Sequence, residues 1–207
     1  RTMTGAIRIQ RGPVNRLDGQ KSLYDQLVEA IARRHAVRIR YDSLTERESI
    51  STKLFPYQLL FSRRAWYVIG RSSLHRETRT FHLGRIEQLD HLDEPYKIPR
   101  GFSVERYLGN AWHMIPENGP DQDVVVRFRP LVATNVAEIV WHKSQKLFFN
   151  QDGSLDFHVR VSGLGEISWW ILGYGDQAEV LRPKELRNLV ARRIRCALDY
   201  YEEDAVG

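Results

Sequence analysis

A run of short strand candidates follows a single amphipathic segment within about sixty residues, and this spacing constrains the fold more than any other feature. The helix is expected from Ser22, a side chain suited to an N-cap, to about Arg34, with Leu23, Leu27, Val28 and Ile31 on one face. Val37-Arg38-Ile39-Arg40-Tyr41 then alternates apolar and basic, as a half-buried strand does. Glu48–Leu54 is a second strand, which Pro56 is expected to close. Gln58–Phe61 and Ala65–Arg71 read as a hairpin around Ser62-Arg63-Arg64, and Thr78–Leu83 and Arg85–Leu92 as further strands. So many short strands after one helix predict a small, strongly bent barrel rather than an open sheet.

The chain changes character between residues 95 and 121, where Pro95, Pro99, Pro116 and Pro120 alternate with Gly101, Gly109 and Gly119. This stretch is expected to connect two domains, with a helical part around Val104–Ala111. Beyond it the order becomes strand (Val124–Phe128), helix (Leu131 to Val140), a hairpin of Lys146–Asn150 and Leu155–Val161 around Asp152-Gly153, helix (Gly165 to Leu172), and strand (Glu179–Leu181). Pro183 then opens a last helix with the stripe Leu186, Val190, Ile194 and Ala197. That order predicts a ferredoxin-like βαββαβ domain over 122–207 with an added C-terminal helix, making the fold class α+β. Residues 1–20 are polar and basic, with turns at Gly12-Pro13 and Asp18-Gly19 and a short strand candidate at Ala6–Gln10. They read as the stub of a linker.

The 207 residues include no apolar stretch long enough to span a bilayer, and Arg1-Thr2-Met3-Thr4 lacks the apolar core of a secretory signal. The single cysteine, Cys196, excludes an intrachain disulfide and fits a reducing, cytoplasmic setting. The net charge of +5 is unevenly placed. Residues 1–40 hold nine Lys/Arg against three Asp/Glu, and Phe61–Ile86 holds six arginines against Glu77 alone. Such a distribution fits an anionic partner or a solvated basic surface.

No catalytic apparatus is legible. Glycine-rich phosphate loops, H-E-x-x-H, C-x-x-C and G-x-S-x-G are all missing. His35, His75, His82, His91, His113, His142 and His158 are scattered without metal-ligand spacing. Gly163-x-Gly165 reads as a bend into a helix, and Trp169-Trp170 as core and interface mass. No cofactor or metal is expected, and the chain is not expected to be an enzyme.

The informative stretch is Trp66-Tyr67-Val68-Ile69-Gly70-Arg71 with Arg79-Thr80-Phe81-His82-Leu83-Gly84-Arg85-Ile86. Strand alternation puts Tyr67, Ile69 and Arg71 on one face and Trp66, Val68 and Gly70 on the other. By the same rule Arg79 and His82 do not share a face. Guanidinium groups fork onto phosphate oxygens and aromatic rings offer stacking faces, so this interleaving suits a nucleotide or nucleic acid. It equally suits a solvated face whose arginines pair with Glu48, Glu77, Glu87 or Asp90.

With Pro56 ahead and Ile39-x-Tyr41 after the helix, this pattern resembles the WYL domain, which in its family is an Sm-like (SH3-type) barrel with a leading helix, here over 21–94. Phe128-x-Pro130, Trp141, Asp152-Gly153, Trp170 to Gly175 and Val180-Leu181-x-Pro183 resemble the C-terminal extension often fused to it. The resemblance implies the sensing and dimerisation region of a cytoplasmic bacterial transcriptional regulator. Such a regulator would bind double-stranded DNA through an N-terminal winged helix-turn-helix, for which the twenty residues before the helix leave no room. It also implies a homodimer, no membrane association, and an anionic ligand such as single-stranded nucleic acid or a nucleotide. The candidate ligand-binding residues are Arg40, Tyr41, Tyr67, Arg71, Arg79, His82 and Arg85. The arginines would hold phosphates, the rings would stack and His82 would add a donor. His82 departs from the basic residue common in the family, and Gly84 from a small polar one. The competing reading is a ligand-independent interaction and dimerisation module.

Overall fold

A computed structural model of the chain describes residues 21–43 and 48–202. The linker stub expected at 1–20, with its strand at Ala6–Gln10, lies outside the described residues. The chain divides into two compact units, one ending at Val104 and the other beginning at Glu105.

The first unit contains α1 (Lys21–Arg33), β1 (His35–Ser43), β2 (Glu48–Ser62), β3 (Ala65–Ser72), β4 (Thr78–His82) and β5 (Ile86–Pro95). Ser22 lies inside α1 rather than capping it, and its hydroxyl accepts from Gln26 Nε2 at 3.1 Å. The strands form one antiparallel sheet in the order β4-β3-β2-β1-β5. Among the described residues no ladder joins β4 to β5, so the closed barrel is replaced by a five-stranded sheet with two edges. Leu83–Arg85 is a single 3-10 turn between those two strands, with the His82 ring accepting the Gly84 N–H.

Pro56 does not end a strand. The two expected strands on either side of it are one, β2, which pairs with β1 over Glu48–Leu54 and with β3 over Leu54–Ser62. Proline has no N–H to give to a ladder, and the register with β3 shifts between Pro56 and Gln58. Gly70 stands opposite Pro56. A Cβ on Gly70 would lie 2.4 Å from the Phe55 carbonyl oxygen and 2.9 Å from Pro56 Cα, so only glycine lets the backbones approach this closely. The core behind the bend joins Leu27 and Ala30 of α1 to Val37, Ile39, Leu54, Val68, Phe81 and Leu83. Each such fully buried aliphatic side chain contributes about 1.5–3 kcal/mol.

The second unit runs α2 (Val104–Leu108), β6 (Gln122–Phe128), α3 (Pro130–Ala137), β7 (Lys146–Phe149), β8 (Leu155–Val161), α4 (Gly165–Leu172), β9 (Ala178–Arg182) and α5 (Lys184–Glu202). From β6 onward this is the βαββαβ order followed by a helix, with an antiparallel sheet ordered β7-β8-β6-β9. The protein is thus α+β with two antiparallel sheets. Helix α3 stops at Ala137, short of the expected Val140, and leaves Ile139 and Val140 exposed. The Trp141 indole N–H takes the Val136 carbonyl, and the Trp141 and His142 backbone N–H groups turn onto Gln145 Oε1. The core gathers Trp112, Phe128, Phe157, Ile167 and Leu186, with Trp141, Trp170 and Tyr174 packed against them.

Candidate ligand-binding face

The register between β3 and β4 decides which candidate residues meet. Tyr67 lies opposite His82, Val68 opposite Phe81, Ile69 opposite Thr80, Gly70 opposite Arg79 and Arg71 opposite Thr78. Val68 and Phe81 belong to the core, so Tyr67, Ile69, Arg71, Thr80 and His82 share the other face, where Ile69, between Tyr67 and Arg71, is fully buried. The Tyr67 and His82 rings touch edge to face, with centroids 5.2 Å apart. Across the sheet Arg71 stands opposite Phe55 of β2, whose ring carries Lys53 Nζ at 5.5 Å from its centroid. Strand β2 thus adds Phe55 beside Arg71, while the Lys53 ammonium is held by Glu94 at 2.8 Å. The alternation Lys53-x-Phe55 was the available signal, hidden because Pro56 read as the end of the strand.

The surroundings of His82 favour the neutral form of its ring. Burial pushes its pKa down, the Arg85 charge pushes the same way, and a backbone hydrogen bond opposes them. Nδ1 accepts the Gly84 N–H at 3.0 Å, which places the ring proton on Nε2. His82 can therefore donate to an anion from Nε2 without carrying charge. Arg71 and Arg85 have no ion-pair partner among the described residues. The Arg71 charge lies near enough to Tyr57 to offset in part the rise that burial imposes on that phenol.

Three candidates stand apart from this face. Tyr41 is 8 % exposed, meets the Phe81 ring edge-on at 5.0 Å, and accepts the His82 backbone N–H on its hydroxyl at 3.3 Å. It positions His82 from within the core. Arg79 lies on the core side, opposite Gly70, with Nη2 2.5 Å from Glu77 Oε1 and Nε buried without a hydrogen-bond partner. Arg40 sits on β1 with Nε 2.6 Å from Glu87 Oε2, an exposed pair of small energetic worth. For Arg40 and Arg79 the acidic neighbours weighed in the sequence are the partners found.

Gly163-x-Gly165 is filled by the protein itself. Gly163 has φ +85°, and the Gly165 N–H at the start of α4 donates to Glu117 Oε1 at 2.9 Å. The Glu166 carboxylate in the same turn accepts the His113 and Met114 N–H groups. Among the described residues no cluster of three or more His, Cys, Asp or Glu is placed to hold a metal, and no helix is long and apolar enough to cross a membrane.

A leading helix on a bent five-stranded sheet, then a βαββαβ unit with a trailing helix, defines a two-module α+β chain. Residues 22–91 match the WYL domain and residues 120–198 the WCX domain, so the chain carries a WYL domain followed by a WCX domain. It is 24% identical over 185 residues to protein PafB of Mycobacterium leprae (strain TN), covering 88% of this chain and 55% of that protein. The chain therefore spans about half the length of this curated relative. Among solved structures it is similar to proteasome accessory factor B/C (PafBC) of Arthrobacter aurescens, at 21% identity and a TM-score of 0.41, covering 92% of this chain and 28% of that one. It is also similar to a protein described as CRISPR Cas-related, at 10% identity and a TM-score of 0.50, covering 91% of this chain and 53% of that one. At that identity the likeness is one of fold.

Proposed function

We propose that the chain is the ligand-sensing region of a cytoplasmic, DNA-binding transcriptional regulator, and that the β3–β4 face takes an anionic ligand, single-stranded nucleic acid or a nucleotide. The regulator role follows from the family resemblance, and contact with double-stranded DNA belongs in this reading to a further domain of the whole protein. The first unit is read as an Sm-like fold whose outer face does the sensing and performs no chemistry. One observation carries the ligand assignment: Arg71 on β3 and Arg85 after β4 have no ion-pair partner among the described residues, and the same two strands bring together the Tyr67–His82 ring pair with its Nε2 donor. Arg40 and Arg79 have internal partners and are assigned to the fold.

Fluorescence anisotropy with a short single-stranded oligonucleotide at low salt tests this. Arg71→Ala and Arg85→Ala should each weaken binding by about five- to tenfold, and each should lower the log–log salt slope by about 0.7. Arg40→Ala should change binding little. Affinity that ignores both Arg71 and Arg85 moves the site elsewhere.

A homodimer is part of the same proposal, and α5 supports it. Leu186 and Val190 are buried, whereas Ile194, Leu198 and Tyr201 continue that stripe and are exposed at 48, 51 and 81 %. The same stripe favours the competing reading of a ligand-independent interaction module. Sedimentation equilibrium decides between them when combined with the binding assay: a firm dimer that binds no oligonucleotide selects the module.

A further inference from the structure

The second sheet has one face packed against helices and an opposite face whose edges are exposed, although Val125 at its centre is buried. Helices α3, α4 and α5 all contribute to a single core with Val124, Val126, Phe157 and Val159, so all three pack on the same side. On the opposite side, register defines two rows across the strands, with Arg182 brought opposite Val125 by the register shift between Val125 and Val126. The first reads Lys146, His158, Val125, Arg182, and the second Phe148, Asp156, Arg127, Glu179.

The charges on this face are not equally available. Asp156 is closed by the Arg127 fork at 2.7 and 2.8 Å, which also holds its carboxyl below the usual range, and Glu179 is taken by Arg187 at 2.8 Å. Lys146 and Arg182, at the two ends of the first row, have no ion-pair partner among the described residues. Asp123 lies opposite Arg160, whose Nε is 3.5 Å from Asp121. Beside Lys146 on β7 sits Phe148, 51 % exposed, whose ring meets that of His158, the neighbour of Lys146 in the first row, at 4.7 Å. Four strands set the row about 14 Å wide, the scale on which an open four-stranded sheet stacks two or three bases.

We infer that this sheet face is a second contact surface for single-stranded nucleic acid, with Phe148 and His158 as the stacking platform and Lys146 and Arg182 holding the backbone phosphates. The surface lies in the second unit and uses none of the residues assigned to the β3–β4 face.

The test uses the full chain and a fluorescein-labelled oligothymidylate of about twelve nucleotides, at low salt, with a photoreactive thymidine analogue in a parallel reaction. Phe148→Ala should weaken binding by about tenfold, the loss of one stacked base, and the charge reversal Lys146→Glu by at least as much. The photo-adduct should map to the peptide containing β7 and β8. A Phe148→Leu variant keeps the apolar bulk without the ring, so weakened binding by Phe148→Leu with an unchanged melting temperature isolates stacking from folding. Adducts confined to the first unit, with Phe148→Ala and Lys146→Glu binding as the parent chain does, overturn this inference while leaving the β3–β4 assignment standing. Loss in these two variants with Arg71→Ala unaffected does the reverse. Failure of the parent chain to bind the probe overturns both.

Discussion

In the second unit one cluster of aromatic residues turns inward: Trp170 is packed among Trp112, Phe128, Trp141, Phe157 and Tyr174, with ring centroids 4.7 to 5.4 Å away. In the first unit the motif aromatics are divided by strand alternation, Phe81 and Tyr41 to the core, Tyr67 and Phe55 to a face shared with Arg71 and His82. The second unit commits this ring cluster to stability, and the first divides its motif aromatics between core and a face with cations. A site with unpaired arginines needs a rigid support. Here the bent β2–β3 pair supplies it, whereas the second unit gathers the larger apolar interior.

The adjacent tryptophans give the sharpest way to break this comparison. Trp170→Ala should cost about 3–5 kcal/mol, because it removes the centre of the ring cluster. Trp169 is 64 % exposed and stacks only against the Arg193 guanidinium, 3.9 Å from its centroid, so Trp169→Ala should cost about 1 kcal/mol or less. Urea denaturation followed by circular dichroism measures both. Equal losses would mean that the second unit depends on its surface as much as on its interior.

Gly70 is the corresponding weak point of the first unit, with a smaller expected loss. An alanine Cβ there meets the Phe55 carbonyl and Pro56 Cα, backbone atoms that cannot move aside, and should cost about 2–3 kcal/mol. Gly165→Ala in the second unit meets only Glu117 Oε1 at 2.9 Å, the end of a flexible side chain, and should cost about 1 kcal/mol or less. Comparable melting temperatures for the two variants would remove the claim that the Pro56 bend is a backbone contact.

How far each feature was legible follows from the range of the interaction that fixes it. The strands and helices of the second unit read closely, since β8 and α4 follow local periodicity and the Asp152-Gly153 turn is marked by a glycine at φ +80°. The open sheet was not legible: β5 follows β4 after only the Leu83–Arg85 turn, yet it pairs with β1, far earlier in the sequence, and no local pattern marks that choice. The continuity of β2 through Pro56 was hidden for a similar reason: the tolerance for proline there comes from Gly70, fourteen positions away in sequence and directly across the ladder. Within the candidate face, alternation correctly separated Arg79 from His82. The partners that remove Arg40 and Arg79 from service, Glu87 and Glu77, were foreseeable only as acids among several.

The smallest effect tests whether the two units tune their histidines alike. His82 and His142 are both pushed below the ordinary value of 6.5, each by burial first and by a neighbouring cation second, Arg85 for His82 and Lys143 for His142. In both cases the unfolded chain binds a proton more readily than the folded one. Stability is therefore present above pH 6.5 and is lost as pH falls from 6.5 through the lower folded values. His82→Gln should flatten the acid side of the first unit's stability profile and leave the His142 titration untouched. Arg85→Gln should move the His82 titration upward, toward 6.5, by removing the second cause while burial stays in place. Proton NMR of the imidazole resonances follows both rings at once. An Arg85→Gln chain in which His82 titrates as before would detach Arg85 from the His82 face, leaving Arg71 as its unpaired cation.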